Sequence, residues 1–264
     1  MNKLQRAFAN GKAFIPFITA GDPSLEITEQ LVFHMAEAGA DLIELGIPFS
    51  DPVAEGPVIQ DASRRALSGG VSVDKIFDML QSVRKTCMVP IALMTYINPV
   101  FVYGPERFMK KCRETGVDAL IVPDLPFEER GELMPFCLEY GIYLISMISP
   151  ASNNRIQMIA REAEGFVYCV SSMGVTGVRE RIGDEAKEMV ELVKKVKDIP
   201  CAIGFGISTP EQAAKMAAFS DGVIVGSAIV KIVEQYGSQC VPHVEEYVRR
   251  MKTAVTRGHI GCML

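Results

Sequence analysis

The stretch from residue 13 to residue 47 reads AFIPFITAGDPSLEITEQLVFHMAEAGADLIELGI, with two apolar runs on either side of an amphipathic segment. The runs, Ala13–Thr19 and Asp41–Ile47, are almost continuously apolar, as is typical of strands that are buried on both faces of a parallel sheet. The segment between them, Ser24–Ala38, has helical periodicity and opens with Ser24, a residue that caps helix N-termini well. The stretch therefore predicts a strand, a helix and a second, parallel strand.

The same alternation continues along the chain. Six further apolar runs follow: Ile91–Tyr96, Ala119–Val122, Tyr143–Ile148, Phe166–Ser171, Cys201–Phe205 and Gly222–Val225. Helical segments lie between them: Val73–Lys85, Pro105–Thr115, Glu128–Tyr140, Asp184–Lys197 and Pro210–Ala218, with starts marked by Asp74, Pro105 and Thr209-Pro210. About eight strand–helix units with no linker between them predict one domain over residues 1–264, a closed (β/α)8 TIM barrel.

Three details complete the expected architecture. A doubly wound open sheet is the alternative, but Ala20-Gly21-Asp22-Pro23 stands where the dinucleotide-binding G-x-G-x-x-G motif would follow the first strand. An extra N-terminal helix, Met1–Asn10, is expected to cover the bottom of the barrel. The tail after Lys252, which contains Gly258 and Gly261, is expected to fray.

Composition excludes several classes of protein. The chain has 264 residues, 48% of them hydrophobic. Its formal net charge of −5 favours neither nucleic acid nor a membrane surface as a partner. No apolar run is long enough for a membrane span, and no apolar segment typical of a signal peptide follows residues 1–6. The seven cysteines show no C-x-x-C spacing and are typical of reduced thiols, so we expect a cytoplasmic protein.

The predicted strand ends lack the usual metal ligands and covalent nucleophiles. Active sites of such barrels use the C-terminal ends of the strands and the loops after them. The three histidines, His34, His243 and His259, fall in predicted helices or in the tail, and no lysine lies in a predicted strand. We therefore expect no metal, no cofactor, no histidine base and no Schiff base, which leaves carboxylates and tyrosine for proton transfer.

Two glutamates are the strongest candidates for proton transfer. Glu44 lies inside the second predicted strand, where partial desolvation would raise its pKa and suit a group that both gives and takes a proton. A structural carboxylate paired with a buried arginine is the alternative, although no predicted strand carries such a partner. The loop Pro48–Pro57 has three prolines and two acids, so it could hold Asp51 or Glu55 over a substrate or towards a partner protein; a solvated turn is the alternative.

Glycines after the last two strands predict a phosphate site. Gly204-Phe205-Gly206 ends the seventh strand, and Gly226-Ser227 ends the eighth and begins a short helix. Glycines let the backbone approach an anion, and free N–H groups at a helix N-terminus bind it; plain turns are the alternative. The loop Ser171–Gly183, which contains Thr176 and Gly177, would close over the same ligand. The residues thus predict a phosphorylated, largely uncharged substrate.

These motifs resemble those of a known family. The segment from Glu44 to Pro52, followed by Gly56-Pro57-Val58-Ile59-Gln60, is similar to the signature of tryptophan synthase α subunits. The same likeness is carried by Phe14-Ile15-Pro16-Phe17, Gly21-Asp22-Pro23, Gly174-Val175-Thr176-Gly177, Gly204-Phe205-Gly206-Ile207 and Gly226-Ser227-Ala228-Ile229-Val230. It runs in order from about Ala13 to Tyr236, whereas other phosphate-binding barrels share only the last glycines.

The resemblance implies a lyase that cleaves indole-3-glycerol phosphate into indole and glyceraldehyde 3-phosphate without a cofactor of its own. It implies that Glu44 takes the proton of the C3′ hydroxyl and serves the protonation of indole C3, with Tyr168 beside it. The remaining site residues would be Phe17, Tyr96 and Phe205 around the indole, Thr176 and Gly177 in the lid, and Gly206, Gly226 and Ser227 at the phosphate.

The resemblance also implies a partner. The family works as an αββα complex in which indole passes through a tunnel to a pyridoxal-phosphate β subunit. The loop Pro48–Gly56 and the segment around Asn98 would face that subunit.

One position departs from the family pattern. Glu55 stands where the family has its second catalytic aspartate, and the added methylene changes the reach of the carboxylate. A misplacement of about 1 Å can cost about a hundredfold in rate, so a weakly active or non-catalytic activator of the β subunit is the alternative function. Another lyase or isomerase on the same scaffold, such as indole-3-glycerol phosphate synthase or a sugar-phosphate isomerase, is a further alternative, but the synthase would need a strand-end lysine that this sequence lacks.

Overall fold

The computed structural model describes residues 3–171, 179–204 and 206–260. Its strands are β1 (Ala13–Thr19), β2 (Ile43–Gly46), β3 (Ile91–Met94), β4 (Ala119–Ile121), β5 (Tyr143–Leu144), β6 (Ser146–Ile148), β7 (Val167–Val170), β8 (Cys201–Gly204) and β9 (Gly222–Val225). Every described pairing between them is parallel, and β1 pairs with both β2 and β9. The expected (β/α)8 barrel is confirmed.

The fifth barrel strand is divided at Ile145. Its first half, β5, pairs with β4, and its second half, β6, pairs with β7. The backbone N–H of Ile145 still donates to the carbonyl of Leu120, at 2.9 Å. The eight predicted apolar runs therefore match eight barrel strands, one of which changes its pairing partner halfway along.

The helices lie outside the barrel. They are α1 (Lys3–Ala9), α2 (Leu25–Glu37), α3 (Pro57–Ser68), α4 (Val73–Val83), α5 (Ile97–Tyr103), α6 (Pro105–Glu114), α7 (Met134–Tyr140), α8 (Ile156–Glu162), α9 (Arg179–Lys194), α10 (Pro210–Ala217), α11 (Ser227–Tyr236) and α12 (Val241–Ile260). Among these, no helix combines the length and the apolar character that crossing a lipid bilayer requires.

Three sequence-based expectations about helices were wrong. The cap of α4 is Ser72, whose hydroxyl accepts from the N–H of Lys75, rather than Asp74, which lies in the first turn. The predicted helix 128–140 is a 3-10 segment over Phe127–Glu132 followed by α7, because Pro135 cannot donate a backbone hydrogen bond and instead starts a new helix. The expected frayed tail is helical to residue 260.

The helix α12 continues past residue 252 because tertiary packing outweighs the low helix propensity of its glycine. Met251 and Val255 are fully buried in the core that lies between the sheet and the helices. Lys252 donates to the carbonyl of Lys12 at 3.0 Å and to the carboxylate of Asp41 at 2.7 Å. The helix therefore holds the chain segments that lead into β1 and β2.

Helix α1 covers the N-terminal end of the barrel, as expected for its described residues. Leu4 and Ala7 are buried against side chains inside the barrel such as Ile15 and Phe166. The ring of Phe8 lies 5.5 Å from that of Phe166. This end is therefore filled with apolar groups, and the described residues leave the barrel interior accessible from the opposite, C-terminal end of the strands.

Candidate active site

A cavity of about 490 Å³ opens at the C-terminal end of the strands. Two carboxyl groups, those of Glu44 and Glu55, lie in its wall, and the start of α11 lies at its other side. The apolar wall is formed mainly by Phe17, Ile59, Met94, Met147, Ile224 and Ile232. The cavity therefore combines a largely apolar chamber with a small number of convergent polar groups, the usual composition of a small-molecule site.

Glu44 is held on β2 between Phe17 of β1 and Ala92 of β3. Its side chain is 1% exposed, and Oε2 has no hydrogen-bond partner among the described residues. Burial, and secondarily the nearby charge of Glu55, raises the pKa of Glu44 from 4.5 to about 8. Since no described cation pairs with it, the alternative of a structural salt bridge is not supported, and the raised pKa favours the protonated carboxyl at neutral pH.

Glu55 lies on the loop between β2 and α3, directly before the N-cap of α3 at Gly56. Its Oε2 is also buried without a described hydrogen-bond partner. Burial raises the pKa of Glu55 to about 7, although the hydrogen bond from the Tyr96 hydroxyl lowers that pKa in part. Two carboxyls with raised pKa values therefore face one chamber.

Tyr96 lies one layer behind the site. It is fully buried at the start of α5 and is not among the described residues that line the cavity. Its hydroxyl accepts from the N–H of Ala54 at 3.2 Å, donates to Glu55, and its ring lies 5.4 Å from that of Phe49. Tyr96 therefore supports the loop that carries Glu55, rather than forming the wall that the resemblance implies.

Tyr168 on β7 is buried and lines the cavity. Burial, together with the negative charge of Glu44, raises the pKa of its phenol well above the ordinary value. The phenol therefore stays protonated and lies close to Glu44, as the resemblance implies.

The other side of the cavity has the glycines and the helix start that were expected at a phosphate site. Gly206, with φ of +73° and open space around its Cα, and Gly226, the N-cap of α11, both line it, as does Ser227. Among the described residues, no side chain caps the N-terminus of this ten-residue helix. Backbone amides at such an end bind phosphate well.

Comparison with known proteins decides the family. A profile of the tryptophan synthase alpha chain family matches residues 4–256. The chain belongs to this family. The tryptophan synthase alpha chain of Lacticaseibacillus casei is 48% identical over 255 residues, which cover 97% of this chain and 96% of the relative. That of Geobacillus stearothermophilus is 48% identical over 262 residues and 97% of each chain.

Solved structures agree. Tryptophan synthase subunit alpha from Legionella pneumophila superposes with a TM-score of 0.88 at 36% identity, covering 97% of this chain and 99% of that one. A chain from the tryptophan synthase α2β2 complex of Pyrococcus furiosus gives a TM-score of 0.85 at 35% identity, covering 92% and 98%. The resemblance on which the sequence analysis relied is thereby confirmed.

The structure answers the predictions for the remaining site residues in different ways. Phe205, Thr176 and Gly177 lie outside the described residues. Asp51 is exposed and accepts from the neighbouring Ser50 hydroxyl, so the solvated-turn alternative holds for it. The loop acid that reaches the cavity is Glu55.

Gly226 has a second purpose that the sequence did not reveal. A Cβ atom there would lie 3.2 Å from Phe17 Cδ1, and one at Gly46 would lie 2.7 Å from Phe17 Cζ. Both glycines therefore make room for the Phe17 ring in the cavity wall. A larger residue at Gly226 would disturb the apolar chamber as well as the anion site.

Lys231 and Tyr247 are among the cavity residues that the sequence did not reveal. Lys231 lies one turn after Ser227 on α11 and faces the cavity. Its i+4 spacing from Ser227 was a usable signal, since residues four apart share a helix face. Tyr247 on α12 also lines the cavity, and its hydroxyl donates to the carbonyl of Ser208 at 2.9 Å. No local pattern connects Tyr247 with a loop some 40 residues earlier.

Proposed function

We propose that the chain is a tryptophan synthase α subunit that cleaves indole-3-glycerol phosphate to indole and glyceraldehyde 3-phosphate. The observation that carries the proposal is the position of Glu44, a buried carboxyl with a raised pKa, in an apolar chamber that also contains the N-terminus of α11. This arrangement fits a substrate with an aromatic ring at one end and a phosphate at the other.

The shape of the cavity orients the substrate. The indole fits between Phe17, Tyr168 and the methionines of β3 and β6, which are flat or adaptable apolar groups. The phosphate fits at Gly206, Gly226 and the first amides of α11. The C3–C3′ bond that must break then lies between these ends, on the side of the cavity that carries Glu44.

Glu44 can complete a closed cycle of proton transfers. In its protonated form, which the raised pKa favours, it donates a proton to indole C3 and makes the ring a leaving group. The resulting carboxylate takes the proton of the C3′ hydroxyl as the C3–C3′ bond breaks and the C3′ carbonyl forms. Glu44 ends protonated, and one molecule of substrate has become indole and an aldehyde.

Glu55 acts on the ring. Protonation at C3 leaves positive charge on the indole, and an ionised Glu55 beside the ring N–H would stabilise it. Its pKa of about 7 keeps a substantial ionised fraction at neutral pH, and the Tyr96 hydroxyl favours that form. The longer side chain still reaches the cavity, which supports a catalytic role over a purely activating one.

The chain is further proposed to work in an α2β2 complex in the cytoplasm, like the Pyrococcus furiosus protein in its assembly. The exposed apolar side chains beside the Glu55 loop support a docking surface. Val53 is 78% exposed on this loop, and Val102 is 81% exposed on α5, whose N-cap is Tyr96. The six described cysteines are free and buried, in keeping with a reducing compartment.

The test is turnover of indole-3-glycerol phosphate by the isolated chain, with and without a cognate β subunit. The chain has no tryptophan and so adds no indole fluorescence of its own, and chromatographic separation distinguishes free indole from the substrate, which carries the same ring. We expect indole release from the isolated chain and a faster rate with the β subunit. No release from the isolated chain would refute the lyase and favour the alternative, a non-catalytic activator, for which the Glu55 substitution is the supporting observation.

A further inference from the structure

The barrel wall is open at one point near its C-terminal end. Because β5 pairs with β4 while β6 pairs with β7, no described ladder bond joins the end of β4 to β6. A second cavity, of about 540 Å³, lies at this opening and has Val122 and Pro123 on one side and Ser146–Ile148 on the other. It reaches from the barrel mouth out to the helical layer at Ile159 of α8.

This second cavity is separate from the proposed reaction chamber. Glu44, Tyr168 and the glycines of the anion site line only the first cavity, whereas Ala54–Gly56 and two other residues border both. Glu55 therefore stands between two chambers. A ligand in the second one would leave the anion site accessible.

The walls of the second cavity are mainly apolar, with a cation on the outer side. Six aliphatic or aromatic side chains form much of the wall: Val122, Leu125, Phe127, Leu144, Ile148 and Ile159. Arg130, from the 3-10 segment before α7, lines the same space. Its side chain is only 14% exposed.

The described protein groups leave part of the hydrogen-bonding capacity of the Arg130 guanidinium unused. Its Nη1 is buried without a hydrogen-bond partner among them, although burying an unpaired donor of a charged group is costly. The carboxylate of Glu162 is 3.8 Å away on a side chain that is 63% exposed, which makes a weak ion pair. The other contacts of the guanidinium are the sulfur of Met134 at 3.8 Å and the face of Phe127 at 5.3 Å.

We propose that this second cavity binds a small organic acid with an apolar body, whose carboxylate pairs with Arg130. The planar guanidinium matches a carboxylate in geometry, and the apolar walls accept an aliphatic body while disfavouring a strongly hydrated anion. The volume is in the range of ordinary small-molecule sites. Bound there, the acid lies against the outer side of Glu55 and occupies the protein together with a ligand at the anion site.

Calorimetric titration of the full chain with octanoate, and with octan-1-ol as the neutral match, tests the proposal. We expect octanoate to bind about tenfold more tightly than the alcohol, because only the acid can pair with Arg130. Saturating glycerol phosphate should leave octanoate affinity within about twofold. Equal affinity for the acid and the alcohol overturns the proposal, and displacement of octanoate by glycerol phosphate would assign the binding to the reaction chamber instead.

Variants of Arg130 test whether the carboxylate of octanoate binds at this residue. Arg130→Gln should weaken octanoate binding about tenfold and leave octan-1-ol binding unchanged. Arg130→Lys keeps the charge but loses the planar pair of N–H donors, and should weaken octanoate binding about threefold. Arg107→Gln, on the exposed face of α6, is the matched control and should change neither. Unchanged octanoate affinity in either Arg130 variant contradicts the proposal. Because all readouts are binding, the outcome is independent of whether the chain cleaves indole-3-glycerol phosphate.

Discussion

Tyr168 occupies the space above Gly204 on the neighbouring strand. A Cβ atom at Gly204 would lie 2.5 Å from the Tyr168 hydroxyl oxygen and 2.7 Å from its Cε1 atom. Cβ atoms do not approach other heavy atoms so closely, so any side chain at this position must push the ring of Tyr168 away. The glycine that ends β8 therefore sets the position of the phenol beside Glu44.

Gly204→Ala should accordingly reduce cleavage of indole-3-glycerol phosphate about a hundredfold, the usual cost of a displacement near 1 Å in an active site. Steady-state indole release measures this. Gly131→Ala, where a Cβ atom meets nothing within 4 Å, is the matched control and should keep full activity. If Gly204→Ala retained normal turnover, the position of Tyr168 would not matter for the reaction.

Glu44→Gln should abolish indole formation, with a loss of at least about a hundredfold, because the shape is kept and only the titratable proton is removed. Binding of glycerol phosphate should be unchanged. A variant that keeps more than about a tenth of the wild-type turnover would show that Glu44 is not the acid–base group.

The same variant should also be more stable than the wild type at higher pH. Burial raises the pKa of Glu44 from 4.5 to about 8, so between these pH values the folded chain holds more protons than the unfolded chain. The wild-type free energy of unfolding therefore falls as pH rises through this window, by at most about 1.4 kcal/mol per pH unit, and glutamine lacks this loss. Urea unfolding at pH 5 and pH 8 checks the sign, and an equal difference between variant and wild type at both pH values would contradict it.

The pH dependence of kcat/KM should be bell-shaped. Activity needs ionised Glu55, with a pKa of about 7, and protonated Glu44, with a pKa of about 8, so it should rise through about pH 7 and fall through about pH 8. Tyr96→Phe removes the hydrogen bond that lowers the pKa of Glu55 and should move the rising limb to higher pH. Tyr103→Phe, whose hydroxyl bonds Asp74 on the outer surface, should not. A rising limb that stays in place in Tyr96→Phe would remove Glu55 from the assignment.

Glu55→Ala should lower kcat about a hundredfold while weakening substrate binding far less, since a carboxylate against developing charge contributes about 3 kcal/mol. Glu55→Asp should be slower than the wild type, because the shorter side chain retreats from the cavity and from Tyr96. Asp51→Ala, on the same loop but exposed, is the control. An Ala variant with full activity would leave Glu55 a loop carboxylate, and a faster Asp variant would favour the activator alternative.

Lys231→Gln should weaken glycerol phosphate binding about fivefold, since an exposed ion pair contributes up to about 1 kcal/mol. Binding of free indole should be unaffected. Lys187→Gln, on α9, is the matched control and should change the binding of neither ligand. Calorimetric titration measures the affinity for each ligand separately. If indole binding fell equally, the effect would be on the shape of the cavity rather than on the anion.

The sequence predicted the barrel well because its strands are buried on both faces and read as continuous apolar runs, as in Ala13–Thr19 and Gly222–Val225. It misplaced features that depend on tertiary contacts. The helical end of α12 follows from the burial of Met251 and Val255, and the break in the fifth strand follows from a change of pairing partner. Neither has a local signature.

The same division applies to the site. A charged residue inside an apolar strand is visible in sequence, and Glu44 was found on that ground. The support that Tyr96 gives to Glu55 depends on a contact between residues 41 positions apart, and the sequence alone offers only their types. The role of Gly204 as a space for Tyr168 likewise depends on the register between β7 and β8.

The pairing of β1 with β9 has a consequence for the nascent chain. Residues 13–16 find their partners only at residues 222–225, so one edge of the first strand stays unpaired until nearly the whole chain has left the ribosome. At about 5–20 residues per second, that interval is about 10 to 40 s. During it the exposed edge can pair with another chain, a known route to aggregation. Premature termination before Val225 would leave that edge permanently open.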